Sequence, residues 1–114
     1  VGHGSGARVD CRIPGADANS YFAFAGTIAG GLYGIRHQLK LEPQSVGNGY
    51  EALDVTRIPS TLSEAIECWE KSEIARECFG DEVHHHILTM AKAEWAAFNQ
   101  TVTDWELTRY FERA

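Results

Sequence analysis

Residues 7–21 read Ala-Arg-Val-Asp-Cys-Arg-Ile-Pro-Gly-Ala-Asp-Ala-Asn-Ser-Tyr and join a segment of alternating charge to one with almost none. Side chains in a strand alternate between its two faces, so Arg8, Asp10 and Arg12 would share one face and apolar residues the other. The pattern predicts a strand over residues 8–13 that ends at the Pro-Gly pair. A row of cation, anion and cation suits a site for anions and a metal ion. It is equally typical of a solvated strand face with weak ion pairs.

The nearly charge-free stretch that follows predicts a buried helix. Asp17 or Asn19 is suited to cap it, and the helix is expected from about Ser20 to Leu39. Residues 18–35 carry no charge and show little amphipathic contrast, which indicates burial on most sides. A membrane span is the other interpretation of such a run, but the run falls short of the roughly 20 apolar residues that a span needs. We therefore expect a helix in a protein interior and no membrane partner.

The second half of the chain is predicted to be helical. Thr61 and Glu64 form a capping-box pattern that opens a helix, and Gly80 is suited to end one. The polar break at residues 71–73 leaves open whether two short helices or one kinked helix lie between them. Asp81 begins the longest predicted helix, whose apolar seam would pack on the earlier helices or on a neighbouring subunit. That seam repeats every seven residues in two rows, Leu88, Trp95 and Val102 with Ala91, Phe98 and Trp105.

Charge and cysteine content narrow the class of protein. The net charge is −6, with five acidic and five basic residues in 1–59 and eleven acidic and five basic residues in 60–114. Such a distribution is a poor match for nucleic acid or an anionic membrane. Three cysteines without a CxxC pair indicate reduced thiols in the cytoplasm. The chain makes one domain at most, and because it does not begin with Met we expect a fragment of a longer protein.

Three consecutive histidines, His84, His85 and His86, suggest a metal site at first sight. Neighbouring residues on a helix are rotated by roughly 100°, so the three rings diverge and cannot share one ion as an i, i+4 pair does. We expect a partly exposed polar patch that holds no metal.

The order of residues resembles the C-terminal part of the glutamine synthetase catalytic domain. Arg8-Val-Asp-Cys-Arg-Ile-Pro14 corresponds to the family's Arg-x-Glu-x-Arg-(Phe/Ile)-Pro, and Ala18-Asn-Ser-Tyr21 to the Ala-Asn-Pro-Tyr that opens a helix of Ala, Leu and Gly. The Pro-Gly-Ala-Asp variant and the ending Val102-Thr-Asp-Trp-Glu106 look most like the subgroup that includes γ-glutamyl-polyamine synthetases. The likeness covers almost the whole chain. It implies an α+β catalytic fold, of which residues 1–114 are a C-terminal portion that is mainly α, with one N-terminal strand and three to four helices.

This resemblance implies a homo-oligomeric ATP-dependent ligase. ATP would phosphorylate the γ-carboxylate of glutamate, and ammonia or an amine would then attack the γ-glutamyl phosphate. By position, Asp10 matches the family's Glu that binds Mg²⁺ or Mn²⁺, Arg8 the Arg near the transferring phosphate, and Arg12 the Arg that holds glutamate. An Arg suits both anions because its planar fork makes bidentate hydrogen bonds. Most of the ATP and metal sites would lie outside residues 1–114, so the fragment alone is expected to be inactive.

Two positions depart from the family pattern. Asp10 is one methylene shorter than the family's Glu, so its carboxylate reaches about 1.5 Å less far. Ser20 replaces the Pro of Ala-Asn-Pro-Tyr and leaves the capping Asn19 in place. The alternative of a different class is a non-catalytic, self-contained helical interaction module, in which the charges on the strand are surface chemistry alone.

The segment over residues 40–59 contains Pro, Gly and Asn at close spacing and predicts a long surface loop. In bacterial dodecameric glutamine synthetases, a Tyr after an Asn-x-Tyr pattern in the corresponding loop is the adenylylation site, and Asn48-Gly-Tyr50 falls at that position. The other interpretation of Tyr50 is an ordinary loop tyrosine that packs its ring.

Overall fold

The computed structural model describes residues 3–43, 46–48 and 55–113. The chain divides into an N-terminal unit, Val1–Ile58, and a C-terminal unit, Pro59–Ala114. A short 3-10 helix at Gly4–Gly6 precedes four α-helices: α1 (Ser20–Arg36), α2 (Leu62–Lys71), α3 (Glu73–Asn99) and α4 (Asp104–Tyr110). Over the residues that the structure describes, the prediction that the chain is mainly α is confirmed.

The predicted strand over residues 8–13 is wrong. Residues 7–12 have no regular secondary structure, and residues 13–14 form a bend. A strand is stabilised by ladder hydrogen bonds to a neighbouring strand, and the described ranges contain no second strand to supply them. The α+β class therefore stays a prediction about a longer protein.

Helix α1 begins at the predicted cap. The Asn19 Oδ1 atom accepts hydrogen bonds from the backbone N–H groups of Tyr21 at 3.0 Å and Phe22 at 3.3 Å. These bonds satisfy two donors that the first turn of a helix leaves without partners. No residue of α1 is buried, whereas its sequence predicted burial on most sides. Within the part of the chain that the structure describes, no helix is both long and apolar enough to cross a bilayer.

Helix α1 ends at Arg36, earlier than the predicted Leu39. The cause is Gln38, whose φ of 51° turns the backbone into the left-handed region. The N–H of Leu39 then donates to the carbonyl of Gly34 at 2.9 Å, and the N–H of Gln38 to that of Ile35 at 3.2 Å. This pair of bonds is a Schellman motif, in which Gly is the usual residue at the left-handed position.

The C-terminal unit opens with the predicted capping box. Glu64 N–H donates to Thr61 Oγ1 at 3.2 Å, and Thr61 N–H donates to Glu64 Oε2 at 3.3 Å. Helix α2 then ends before Ser72, whose side chain accepts a hydrogen bond from Ala75 N–H at 3.0 Å and so caps α3. The polar break thus separates two helices.

Gly80 interrupts α3 and divides it into two helical limbs. Its φ of 79° and ψ of 161° are not helical, and this region of backbone space is essentially restricted to Gly. Apart from its chain neighbours and the nearby backbone of its own helix, no atom lies within 4 Å of the position that a Cβ would occupy, so the backbone conformation rather than the space requires glycine. As predicted, Gly80 ends the first limb, and the helix predicted to begin at Asp81 is the second limb.

The core of the C-terminal unit lies between α2 and α3. Its buried apolar residues are Ile66, Ala75 and Leu88. The predicted seam is partly right, because Leu88 and Ala91 line the groove between the two helices. The repeat does not continue, since α3 ends at Asn99 and the residues at 102 and 105 are exposed.

Candidate functional site

The three predicted site residues lie on the irregular segment that precedes α1, and all three are exposed. The Nε atom of Arg8 donates to Oδ1 of Asp10 at 3.1 Å. The exposed fraction is 64% for the Arg8 side chain and 35% for that of Asp10. An ion pair in water of this kind contributes at most about 1 kcal/mol of stability. The pair is therefore weak enough to be replaced by stronger partners.

Arg8 and Asp10 meet although they lie on no strand. Side chains two residues apart share one side of a strand, and the 3.1 Å contact shows that these two also meet in an irregular segment. Arg12 is next in this row, and the structure shows no hydrogen bond or ion pair between it and another described residue. The structure thus shows a contact between two members of the predicted row, and the position of Arg12 on the same face stays a prediction.

A tight turn joins this segment to α1. The N–H of Ala18 donates to the carbonyl of Gly15 at 3.1 Å. The carboxylate of Asp17 lies over the same glycine. A Cβ at Gly15 would be only 2.7 Å from Asp17 Oδ1. Gly15 is therefore the residue that permits the close approach.

A divalent metal does not fit the described residues alone. Within residues 3–43, 46–48 and 55–113, no group of three His, Cys, Asp or Glu side chains could hold a metal ion. Mg²⁺ requires a near-octahedral set of oxygen ligands, and Mn²⁺ also prefers oxygen. The chain offers such an ion one predicted carboxylate, Asp10, which Arg8 already contacts. The described residues could therefore supply only part of a metal site.

The histidine cluster differs from its predicted form. His85 and His86 are exposed, whereas His84 is only 1% exposed and packs between α2 and α3. The expectation of a partly exposed patch is wrong for His84 because its ring stacks on Trp69 at a centroid distance of 5.4 Å. One signal in the sequence pointed to this: His84 precedes Leu88 by four residues and so shares its buried helical face.

Two further predictions concern Tyr50 and the three cysteines. Tyr50, the predicted modification position, lies outside the described residues, so its modification stays a prediction. The three cysteines, Cys11, Cys68 and Cys78, form no disulfide bond, and the first two are exposed.

Comparison with known proteins identifies the family. Residues 1–110 match the family model for the glutamine synthetase catalytic domain. The chain belongs to the glutamine synthetase family. Its similarity to members of that family extends over nearly its whole length, which confirms the resemblance seen in the residues around Arg8, Asp10 and Arg12.

Relatives in this family include amine ligases and glutamine synthetases. A gamma-glutamylethanolamide synthetase of Streptomyces coelicolor is 50% identical over 113 residues, which is 99% of this chain and 24% of the relative. A glutamate–isopropylamine ligase of a Pseudomonas species is 40% identical over 111 residues, covering 96% of this chain and 24% of the ligase. A glutamine synthetase of Thermus thermophilus is 34% identical over 114 residues, covering 94% of this chain and 26% of that enzyme. The chain thus spans about a quarter of the length of these curated relatives.

Proposed function

We propose that this chain is the C-terminal portion of the catalytic domain of an ATP-dependent ligase that joins an amine to the γ-carboxylate of glutamate. The main support for the proposal is that the chain has a higher sequence identity to amine ligases than to glutamine synthetases. The chain is 50% and 40% identical to two relatives named for amine substrates. It is 31–37% identical to relatives named as glutamine synthetases. This difference favours an amine over ammonia, in agreement with the resemblance to the γ-glutamyl-polyamine synthetase subgroup.

The proposed reaction has two steps. An oxygen of the γ-carboxylate of glutamate attacks the γ-phosphorus of ATP, and ADP leaves. The amine nitrogen then attacks the carbonyl carbon of γ-glutamyl phosphate, so that a C–N bond forms as the C–O bond to phosphate breaks. Inorganic phosphate leaves with its electron pair, and the nitrogen loses a proton. Ammonia in place of the amine gives glutamine by the same steps.

Each of the three charged residues Arg8, Asp10 and Arg12 would have one role in that reaction. Arg8 would contact the transferring phosphoryl group, where a cation stabilises negative charge. Arg12 would hold the carboxylate of glutamate through bidentate hydrogen bonds. Asp10 would supply one of several ligands to Mg²⁺ or Mn²⁺, and the others would come from residues outside this chain. Such an ion, when bound, screens phosphate charge.

The proposal concerns a longer protein. The nucleotide pocket, the amine site and the remaining metal ligands would lie in the segments that correspond to the rest of the relatives. A cytoplasmic homo-oligomer remains the prediction for that protein, and residues 1–114 alone should not turn over ATP.

The test uses the protein encoded by the complete gene. It is supplied with glutamate, ATP, Mg²⁺ and one acceptor at a time: ammonia, ethanolamine, isopropylamine or putrescine. Phosphate release and the mass of the γ-glutamyl product are measured. We expect the kcat/KM of one amine to exceed that of ammonia by at least about tenfold, or about 1.4 kcal/mol.

Two results would contradict the proposal. Equal or better use of ammonia would reassign the protein as a glutamine synthetase. Absence of phosphate release with every acceptor would favour the non-catalytic interaction module.

A further inference from the structure

Arg8 contacts Asp10 through one of the donors with which an arginine recognises anions. Its Nε–H group donates to Oδ1 of Asp10 at 3.1 Å. A guanidinium presents its five N–H donors in a rigid planar fork, and two parallel donors bind a phosphate in a bidentate contact. Every bidentate contact that uses the Nε edge of Arg8 therefore competes with Asp10 for the same N–H group.

The negative charge of Asp10 opposes phosphate in the same direction. Like charges repel, and the repulsion grows as their separation falls. The Asp10 carboxylate lies within hydrogen-bond distance of the Arg8 guanidinium, so a phosphate on that guanidinium comes close to the carboxylate. The Asp10 side chain is 35% exposed, and partly buried charges are screened less than fully exposed ones.

We propose that Asp10 inhibits the binding of phosphate to Arg8, because it holds the guanidinium in an ion pair that a phosphoryl group must break. This inference rests on the proposed function for the role of Arg8 at the transferring phosphoryl group. A phosphoryl group can break the pair because it carries more negative charge than a carboxylate and has three acceptor oxygens. Arg8 thus exchanges one anionic partner for another when phosphate binds.

The strength of the ion pair sets the size of the inhibition. The exposed fractions of the two side chains are 64% and 35%, and pairs in such positions favour the closed arrangement by a factor of about five at most. The apparent affinity of a ligand falls with the fraction of the protein that is able to bind it. Loss of the pair should therefore strengthen phosphate binding by about twofold to fivefold.

Two other roles of Asp10 predict different results. If the ion pair pre-orients Arg8 for phosphate, its loss would weaken phosphate binding. If Asp10 repels phosphate through its charge alone, its removal would strengthen binding whether or not Arg8 is present. The 3.1 Å contact favours competition, because Asp10 occupies a donor of the same fork that binds phosphate.

The experiment is a double-mutant cycle of phosphate binding in the protein encoded by the complete gene. The four proteins are the unmodified protein, Asp10→Asn, Arg8→Ala and the double variant. Inorganic phosphate is titrated into each by calorimetry at constant ionic strength. EDTA is present and ATP is absent, so that no divalent metal contributes. Asp104→Asn, on α4, is the control for the loss of a negative charge.

We expect Asp10→Asn to bind phosphate about twofold to fivefold more tightly than the unmodified protein. Asp104→Asn should bind it as the unmodified protein does, and Asp10→Asn should give no gain in the Arg8→Ala background. Weaker or unchanged binding by Asp10→Asn would overturn the inference. A gain that persists in the Arg8→Ala background, or that Asp104→Asn reproduces, would overturn it as well, since Asp10 would then act through its charge alone.

The binding measurement is independent of catalysis. If every acceptor fails in the ligase assay, a gain that depends on Arg8 still establishes the competition between Asp10 and phosphate. If the ligase assay succeeds and Asp10→Asn shows no gain, the inference about Asp10 fails and the proposed function stands.

Discussion

Trp69 and His84 join α2 to α3 through two reciprocal hydrogen bonds. The Nε1–H of Trp69 donates to the carbonyl of His84 at 3.0 Å, and Nε2 of His84 lies 2.7 Å from the carbonyl of Trp69. Because a carbonyl oxygen only accepts, this contact assigns a proton to Nε2. The two rings also stack, with an interplanar angle of 10°. One pair of residues thus connects the C-terminal end of α2 to α3 through both side chains and both backbones.

His84→Ala should lower the free energy of unfolding by about 2–4 kcal/mol, because it removes a buried ring and a hydrogen bond and leaves a cavity. Trp69→Phe should cost less, about 0.5–1.5 kcal/mol, since a stacked ring remains while the indole N–H is lost. His85→Ala is the matched control and should change the value by no more than about 0.5 kcal/mol. Urea unfolding of the chain, followed by far-UV circular dichroism, measures all three. Equal effects of His84→Ala and His85→Ala on the free energy of unfolding would contradict a stabilising role for the Trp69–His84 pair.

The residues that the sequence predicted well are those whose partners lie close in the chain. The caps at Asn19 and Thr61 bond to atoms within three residues, so their residue types predict the geometry. His84 is buried by Trp69, fifteen residues away, and that contact depends on how two helices pack. The burial of His84 was therefore indicated only weakly, by the four-residue spacing between His84 and Leu88 in the sequence.

The candidate site shows the same limit of sequence reasoning. The alternation at Arg8 and Asp10 predicted that two side chains would meet, which depends on the local backbone alone. The same alternation predicted a strand, but a strand requires ladder hydrogen bonds from a second segment. The family resemblance supplied roles for these residues that neither the pattern nor the geometry of residues 1–114 could supply.

The capping box predicts that α2 weakens in acid. Hydrogen bonds from the backbone N–H and the hydroxyl of Ser60, and then from Thr61, hold the pKa of Glu64 below its ordinary value of 4.5. A carboxyl with a lowered pKa contributes stability above its unfolded pKa and loses it as the pH falls through the folded value. The free energy of unfolding should therefore fall below about pH 4.5. Glu64→Gln should reduce that fall in urea titrations at pH 7 and pH 3, whereas Glu94→Gln should not. Parallel pH profiles for the two variants would contradict this role of Glu64.

Gln38 offers a site for stabilisation at the end of α1. Its φ of 51° costs about 1 kcal/mol for a residue with a Cβ, so Gln38→Gly should raise the free energy of unfolding by about 0.5–1 kcal/mol. Gln100 follows α3 with an ordinary φ of −92° and provides the matched control. Gln100→Gly should be destabilising by a similar amount because glycine loses more entropy on folding. Thermal unfolding compares the two, and shifts of Tm in the same direction would refute this explanation.

The two arginines of the candidate site should affect different kinetic constants in the longer enzyme. Arg12→Ala should raise the KM for glutamate by about tenfold to a hundredfold, since a charge-assisted hydrogen bond is worth about 1.5–3 kcal/mol. Arg8→Ala should mainly lower kcat, because its partner charge develops in the transition state. Arg109→Ala, on α4, is the control for the loss of a positive charge. Equal changes in both constants from Arg8→Ala and Arg12→Ala would contradict the separate roles.

Asp10 is the position at which a metal ligand and a surface ion pair predict opposite results. If Asp10 binds Mg²⁺ or Mn²⁺ in the longer enzyme, Asp10→Asn should raise the metal concentration needed for half-maximal activity, because the amide keeps the size and removes the charge that hard cations prefer. Asp10→Glu should preserve or improve the metal affinity, since it restores about 1.5 Å of reach.

An ion pair with Arg8 alone would behave differently. Loss of the 3.1 Å contact would then change stability by at most about 1 kcal/mol and leave the metal dependence unaltered. Metal titrations of activity in Asp10→Asn and Asp10→Glu, with Asp104→Asn on α4 as the charge-matched control, separate the two roles. Calorimetric titration of Mn²⁺ into the same variants measures affinity without turnover. A half-saturation value in Asp10→Asn equal to that of Asp104→Asn, by both methods, would remove Asp10 from the metal site and leave it as the partner of Arg8.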